Sequence, residues 1–113
     1  MPTDLMTGLR KLCATLPEAE EYEMHGHPSF RAGKKCFAIS SPDQPSLSIK
    51  VPLMDQALYC EDPRFSVTHY IGQHGWVTLD LTGGIRWPEV EKLVVMSYRG
   101  AALKRMLKEL DAR

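Results

Sequence analysis

Apolar residues recur every three or four positions near both ends of the chain, a spacing typical of α-helices that bury one face. The first stretch, which follows the capping candidates Thr3 and Asp4, is Leu5, Leu9, Leu12 and Leu16. It predicts a helix that ends at about Leu16, before Pro17. The second stretch follows Pro88 and contains Val90, Leu93, Val94, Ser97, Tyr98, Leu103, Met106, Leu107 and Leu110. It predicts a helix that bends near Gly100.

Between these helices, apolar and polar residues alternate, as they do in strands with one buried face. In residues 46–51 the alternation predicts that Leu47, Ile49 and Val51 face the core and that Ser48 and Lys50 face out. Residues 20–30 predict two strands around a turn at Gly26, and residues 36–40 predict a third after the turn at residues 33–35.

Two further segments complete the pattern. Residues 52–60 predict a short helix with Leu53, Ala57 and Cys60 on one side, which stops at the Asp62-Pro63 pair. Residues 67–70 and 76–81 then predict a last hairpin around the loop at residues 72–75.

The composition limits where a polyanion could bind. Fourteen basic and fourteen acidic residues give a formal charge of zero, so any nucleic-acid contact must depend on a local patch rather than on an overall field. No segment approaches 18 consecutive apolar residues, and the start of the chain lacks the apolar core of a signal peptide. We therefore expect a soluble, cytoplasmic protein that does not contact a membrane.

The thiols and imidazoles offer weak candidates for chemistry. Cys13, Cys36 and Cys60 are odd in number and have apolar neighbours, which predicts unpaired, structural thiols in a reducing compartment. Cys36 lies beside two lysines but is expected to point into the core.

His25 and His27 could ligate a metal on one strand face, yet no third ligand has a diagnostic spacing. No metal, cofactor or catalytic motif is predicted.

A basic and aromatic set is the best candidate for a binding site. It contains Arg31, Lys34 and Lys35 near one hairpin tip, Lys50 on a later strand, and Tyr70, His74 and Trp76 from the last hairpin. Lysine and arginine can pair with phosphates while aromatic rings stack on bases. The same residues also suit solubilising turns and rings that seal a sheet against a helix. A second set, Arg99, Lys104, Arg105 and Lys108, is explained by the helix dipole.

Several short motifs, in this order and spacing, resemble the MmcQ/YjbR family. They are residues 16–21 (LPEAEE), 28–38 (PSFRAGKKCFA), 46–51 (SLSIKV), 67–81 and the Ser97-Tyr98-Arg99 triplet. Many relatives carry Asn-Lys-Arg/Lys-His before the tryptophan, where this chain has Gly-Gln-His-Gly at residues 72–75. The family resemblance implies a small bacterial protein with a frataxin-like (CyaY-like) fold, of a kind often labelled DNA-binding.

The resemblance implies, and the alternation supports, a single domain over residues 1–113 of the α+β class. We expect one antiparallel sheet of about five or six strands with the N- and C-terminal helices packed on one face. We expect a non-enzymatic binding protein, monomeric or homodimeric, that contacts DNA weakly through its hairpins. The alternative is a small-molecule or protein-partner module that uses Tyr70, Trp76 and Lys50.

Overall fold

The computed structural model describes residues 4–41 and 43–113. In chain order its helices and strands are α1 (Leu5–Cys13), β1 (Ala19–Met24), β2 (His27–Ala32), β3 (Lys35–Ser40), β4 (Ser46–Lys50), α2 (Gln56–Tyr59), β5 (Phe65–Val67), β6 (Trp76–Asp80), α3 (Trp87–Ala101) and α4 (Lys104–Asp111). Short 3₁₀ turns at Leu53–Asp55 and Gly72–His74 precede α2 and β6. Within the described residues, no helix is both long and apolar enough to cross a membrane.

Helix α1 begins where the polar pattern predicts. The Asp4 carboxylate accepts hydrogen bonds from the Thr7 amide at 3.0 Å and the Thr7 hydroxyl at 2.7 Å, which caps the first turn. Thr3, the other capping candidate, lies outside the described residues. The helix ends at Cys13, earlier than predicted, because the amides of Thr15 and Leu16 bond three residues back in tighter turns.

The six strands form one antiparallel sheet in the order β1-β2-β3-β4-β6-β5. Strand β4 is central, and its register sets Leu47 opposite Leu79 and Ile49 opposite Val77. All four side chains are fully buried, as predicted. Ser46 and Ser48 on the other face of β4 are buried too, so the prediction that Ser48 is turned out to solvent is wrong, whereas Lys50 is exposed as predicted.

One face of the sheet is covered by helices. Helix α3 crosses β3 and β4, and its buried residues Val90, Val94 and Tyr98 share a core with the leucines of α1 and with Met106 of α4. The predicted α+β class, with one antiparallel sheet and terminal helices, is therefore confirmed. The opposite face, here called the open face, carries the alternate residues of each strand.

The structure corrects three predicted elements. The last helix is two helices, because Ala102 and Leu103 adopt extended backbone angles two residues after Gly100. The strand predicted at residues 67–70 instead ends at Val67. In the segment before α2, Leu53 is exposed, so the predicted apolar side of that short helix does not face the core.

Candidate nucleic-acid interface

Antiparallel pairing brings most of the basic and aromatic set to one end of the sheet. Strand β2 ends and β3 begins at this end, and β4 ends where β6 begins. It therefore carries Lys34, Lys35 and Lys50, together with the loop at residues 68–75. We call this region, defined by the three lysines, the lysine-bearing end.

The lysine side chains at this end point to different faces of the sheet. Lys35 pairs with the buried Ala32 and so lies on the helix side, whereas Lys50 is opposite Trp76 on the open face. Helix α4 lies close to the hairpin tip, since a Cβ added to Gly33 would be 3.2 Å from Cε of Met106. The three ammonium groups thus surround the end of the sheet rather than form one flat patch.

Trp76 is not available for stacking. It lies on the open face as the alternation predicts, but only 7% of its surface is exposed. The backbone carbonyl of Trp76 also accepts a hydrogen bond from the Gln56 side chain at 3.0 Å. Its predicted role as an exposed ring is therefore wrong, because the indole is already packed within the protein.

Arg31 is already engaged with neighbouring side chains. Its guanidinium lies 4.9 Å from the centre of the Tyr22 ring and 3.9 Å from a carboxylate oxygen of Glu20. The Nε of Arg31 is buried and has no hydrogen-bond partner among the described residues. This arginine shapes the open face beside the lysine-bearing end and is less free to reach a ligand than the lysines are.

Tyr70 is the aromatic residue that the fold presents to solvent. Its side chain is 94% exposed, and its ring centre is 5.6 Å from that of His69. The Ile71 amide donates to the His69 carbonyl at 2.7 Å, which closes a three-residue turn with Tyr70 at its centre at φ 66°. A non-glycine residue in this conformation stores about 1–3 kcal/mol of strain, and such strain tends to occur at functional positions.

The rest of this loop is held tightly by two glycines. A Cβ at Gly72 would be 2.2 Å from Cγ1 of Val67, and a Cβ at Gly75 would be 2.3 Å from the Val51 carbonyl oxygen. Gly75 also has φ 97° and accepts a hydrogen bond from the Val51 amide. The glycines in this loop are therefore required by close packing. His74 lies between them and is exposed.

Ion pairing separates the arginines from the lysines. Arg10, Arg64, Arg99 and Arg105 each contact a carboxylate at 2.7–2.8 Å. In the described part of the chain, none of Lys34, Lys35 and Lys50 forms an ion pair, and all three are exposed. In the second basic set, Arg99 and Arg105 bind Asp111 and Glu18. These three lysines therefore carry charge that remains available to an outside anion, as do Lys104 and Lys108 of the second basic set, which are also exposed.

The two more buried thiols are unsuited to nucleophilic attack. Burial raises the pKa of the Cys13 thiol to about 12, and burial also raises the pKa of Cys36, although hydrogen bonds with Tyr22 and with backbone groups oppose that rise. A thiol needs a depressed pKa to supply a thiolate near neutral pH. All three cysteines are free, as expected.

The histidine pair lies at the turn between β1 and β2. His25 and Gly26 are the two central residues of the β1–β2 turn, at φ 50° and 83°, so His25 does not share a strand face with His27, as a metal site on one strand would require. The His27 Nδ1 lies 3.3 Å from the Ser40 carbonyl oxygen. Across residues 4–41 and 43–113, no three His, Cys, Asp or Glu side chains are grouped to hold a metal.

An apolar surface near β5 is not evident from the sequence pattern. Leu53, Met54, Leu58 and Val67 are all exposed, and Met54 shows 89% of its surface. The two segments that carry them are joined by a 2.6 Å hydrogen bond from the Gln56 side chain to the Gly72 carbonyl. The pattern placed Leu53 on the buried side of a short helix and Val67 in a strand, and it gave no sign that these side chains are exposed together.

The fold places this chain in the class of small α+β domains, in which helices cover one face of a single antiparallel sheet. The YjbR family model matches residues 14–100, so the chain belongs to the YjbR family. Among solved structures, the chain is similar to Deinococcus radiodurans protein DR2400, whose family-model domain is DUF419. The two are 22% identical with a TM-score of 0.76, over 98% of this chain and 91% of that one. That likeness shows the fold alone. No curated protein matches.

Proposed function

We propose that this YjbR-family chain is a non-enzymatic, cytoplasmic binding protein that contacts single-stranded nucleic acid weakly through its lysine-bearing end. The proposal rests on one observation. Three lysines without ion pairs (Lys34, Lys35 and Lys50) and the exposed Tyr70, whose backbone is strained, lie at the same end of the sheet. Lysine neutralises phosphates, and an exposed ring stacks on an unpaired base.

A single strand suits this geometry better than a duplex. Lys35 and Lys50 emerge on opposite faces of the same sheet end, so a ligand that contacts both must bend around that end. A flexible strand can follow this path and offer splayed bases to Tyr70, whereas a duplex is stiff and keeps its bases stacked. Base sequence is not read, because most of the expected contacts are to phosphates.

The affinity should be modest. The chain has no net charge, and non-specific binding through a few lysines gives dissociation constants on the order of 10⁻⁴ to 10⁻⁶ M at physiological salt. Each phosphate contact on a single strand contributes about −0.7 to the slope of log K against log salt, so three lysines give a slope of about −2.

Fluorescence anisotropy with a labelled mixed-sequence DNA oligomer tests the proposal. Replacing Lys34 and Lys35 by glutamine should reduce the salt slope by about 1.4 in magnitude and weaken binding at low salt. The matched control replaces Arg86, the N-cap residue of α3, and Lys92, an exposed residue of α3, by glutamine and so removes the same charge. Equal effects of the two double variants, or no binding even at low salt, would refute the proposal.

The alternative module for a small molecule or protein has one observation in its favour, the exposed apolar surface near β5. A metabolite screen by thermal shift, run on the same protein, covers the small-molecule case. A ligand that raises the melting temperature while DNA has no effect would favour that alternative.

A further inference from the structure

Helix α4 carries a positive charge where the helix dipole does not favour one. The single long helix predicted from the sequence would place Lys104 and Lys108 near its C-terminal end, where the dipole stabilises cations. Instead, α3 ends at Ala101 and Lys104 is the first residue of α4. A cation in the first turn of a helix is unfavourable. The prediction that the dipole explains these residues is therefore wrong for Lys104.

Ion pairs neutralise the other charged side chains of α4. The pairs are Arg105 with Glu18 at 2.8 Å, Arg99 with Asp111 at 2.7 Å and Arg113 with Glu109 at 3.9 Å. Across residues 4–41 and 43–113, Lys104 and Lys108 form no ion pair, and both are exposed. Because each of the three pairs has no net charge, these two lysines give α4 a surplus of positive charge in a chain whose formal charge is zero.

The two lysines lie on the outer face of α4. They are four residues apart, so they lie on the same side of the helix with a rise of about 6 Å between them. Met106, halfway between them in sequence, is fully buried, so the lysines point away from the core. They line a groove of about 480 Å³ together with Leu107 and the paired Asp111. A groove with an apolar wall and two free cations suits a sugar-phosphate backbone.

Helix α4 adjoins the lysine-bearing end. The Met106 side chain lies against Gly33 at the β2–β3 hairpin tip, which also carries Lys34 and Lys35. Lys35 lies on the helix side of the sheet, the side that α4 covers. The outer face of α4 is one helix width, about 10 Å, beyond this contact. A strand that passes Lys35 toward the helix side therefore meets α4 next.

We infer, on the basis of the nucleic-acid binding proposed above, that Lys104 and Lys108 form a second phosphate-binding site for the same single strand. The strand would run from Tyr70 across the lysine-bearing end and over the outer face of α4. The rise of about 6 Å between the two lysines is comparable to the spacing of neighbouring phosphates along one strand, so each lysine meets one phosphate. These contacts position the strand and do not read its bases.

The salt dependence of binding counts the lysines that contact the strand. Anisotropy with a labelled mixed-sequence DNA of about 16 nucleotides, the upper end of common site sizes, should give a slope of about −3.5 for five lysines. Replacing Lys104 and Lys108 by glutamine should bring the slope to about −2 and weaken binding at low salt. The control variant, Arg86→Gln with Lys92→Gln, should keep the slope of the parent chain.

The outcomes separate this inference from the function on which it rests. A slope of about −2 in the parent, unchanged by the substitutions at Lys104 and Lys108 but reduced by those at Lys34 and Lys35, would overturn the second site alone. No binding by the parent at low salt would overturn both. Thermal melts exclude unfolding as the cause of weaker binding. The glutamine variant should melt no lower than the parent, since it removes an unfavourable charge from the first turn of α4.

Protection of lysines from acetylation tests the same site without any substitution. The chain is treated with an acetylating reagent with and without saturating DNA, and mass spectrometry gives the rate at each lysine. DNA should slow the reaction at Lys104 and Lys108 as it does at Lys34 and Lys35. The exposed Lys92 of α3 should react at an unchanged rate. Protection of the hairpin lysines without protection of the two α4 lysines would overturn the inference.

Discussion

The Ser97 hydroxyl donates a 2.7 Å hydrogen bond to the carbonyl oxygen of Phe37, sixty residues earlier in the chain. The same hydroxyl accepts a 3.0 Å hydrogen bond from the Lys50 amide. Phe37 is the extra residue of a bulge, since Phe30 pairs with Ala38 and Arg31 with Cys36. The helix hydroxyl thus bridges β3 and β4 where the irregular strand does not pair directly.

Replacing Ser97 by alanine should therefore destabilise the fold. The change leaves the buried carbonyl of Phe37 and the part-buried amide of Lys50 without their partner, which costs about 1–3 kcal/mol. Urea unfolding followed by circular dichroism measures the loss. Ser66→Ala is the control, since Ser66 is exposed and its replacement should have little effect. Equal stability of the parent and Ser97→Ala would mean that water replaces the hydroxyl.

The neighbouring Tyr98 shows why the family motif at this point is structural. Its hydroxyl donates to the Pro17 carbonyl at 2.6 Å, and its ring contacts that of Phe37 edge-on, with centres 5.3 Å apart. The Ser97-Tyr98 pair therefore ties α3 to the sheet and to the turn before β1. Both residues are buried, so this part of the resemblance reports how the domain is assembled and leaves its ligand unspecified.

The sequence predicts buried residues correctly where apolar and polar residues repeat with a regular local spacing. Leu47, Ile49 and Val51 were predicted to be inside because the residues between them are polar, and all three are buried. Strand β5 begins two residues before the predicted strand and ends three residues before it, because three residues are too few to show a period. The burial of Trp76 was missed for another reason. Alternation gives the face of a strand, whereas burial depends on contacts from distant segments.

Alkaline pH should destabilise the protein through Cys13. Burial raises the pKa of this thiol from its ordinary value of 9.0 to about 12. Between those values the unfolded chain releases the proton while the folded chain keeps it, so stability falls as pH rises. The free energy of unfolding should drop by up to about 1.4 kcal/mol per pH unit from this group.

Urea unfolding at pH values between about 8 and about 11 measures this slope. Burial also raises the pKa of Tyr98, which adds to the loss at the upper end of the range. Cys13→Ala should flatten the pH dependence even though it lowers stability throughout. An unchanged slope in that variant would assign the alkaline loss to other groups.

Acid should weaken the ion pairs that Arg64 forms with Asp62 and Glu89. The guanidinium of Arg64 bonds to the carboxylates of Asp62 and Glu89 at 2.8 Å, and these hydrogen bonds lower the pKa of both acids. A carboxyl group whose pKa is lowered by folding stabilises the fold at pH values above its ordinary, unfolded-state pKa. This stabilisation is lost as the pH falls through the lowered pKa. Arg64→Met should therefore flatten the acid limb of a stability-pH profile. Lys92→Met, which breaks no ion pair among the described residues, should leave the acid limb as it is in the parent.

Substitutions at Tyr70 should affect nucleic-acid binding, whereas substitutions at Trp76 should affect the stability of the fold. Tyr70→Ala removes an exposed ring and should weaken single-stranded DNA binding by about 1–3 kcal/mol, with little change in melting temperature. Tyr70→Phe keeps the ring and should retain the affinity. Trp76→Ala removes a buried ring and should cost about 3–5 kcal/mol of stability. Anisotropy titrations and thermal melts on all three variants provide the comparison. If Tyr70→Ala binds as tightly as Tyr70→Phe, base stacking is excluded and only the lysine contacts remain.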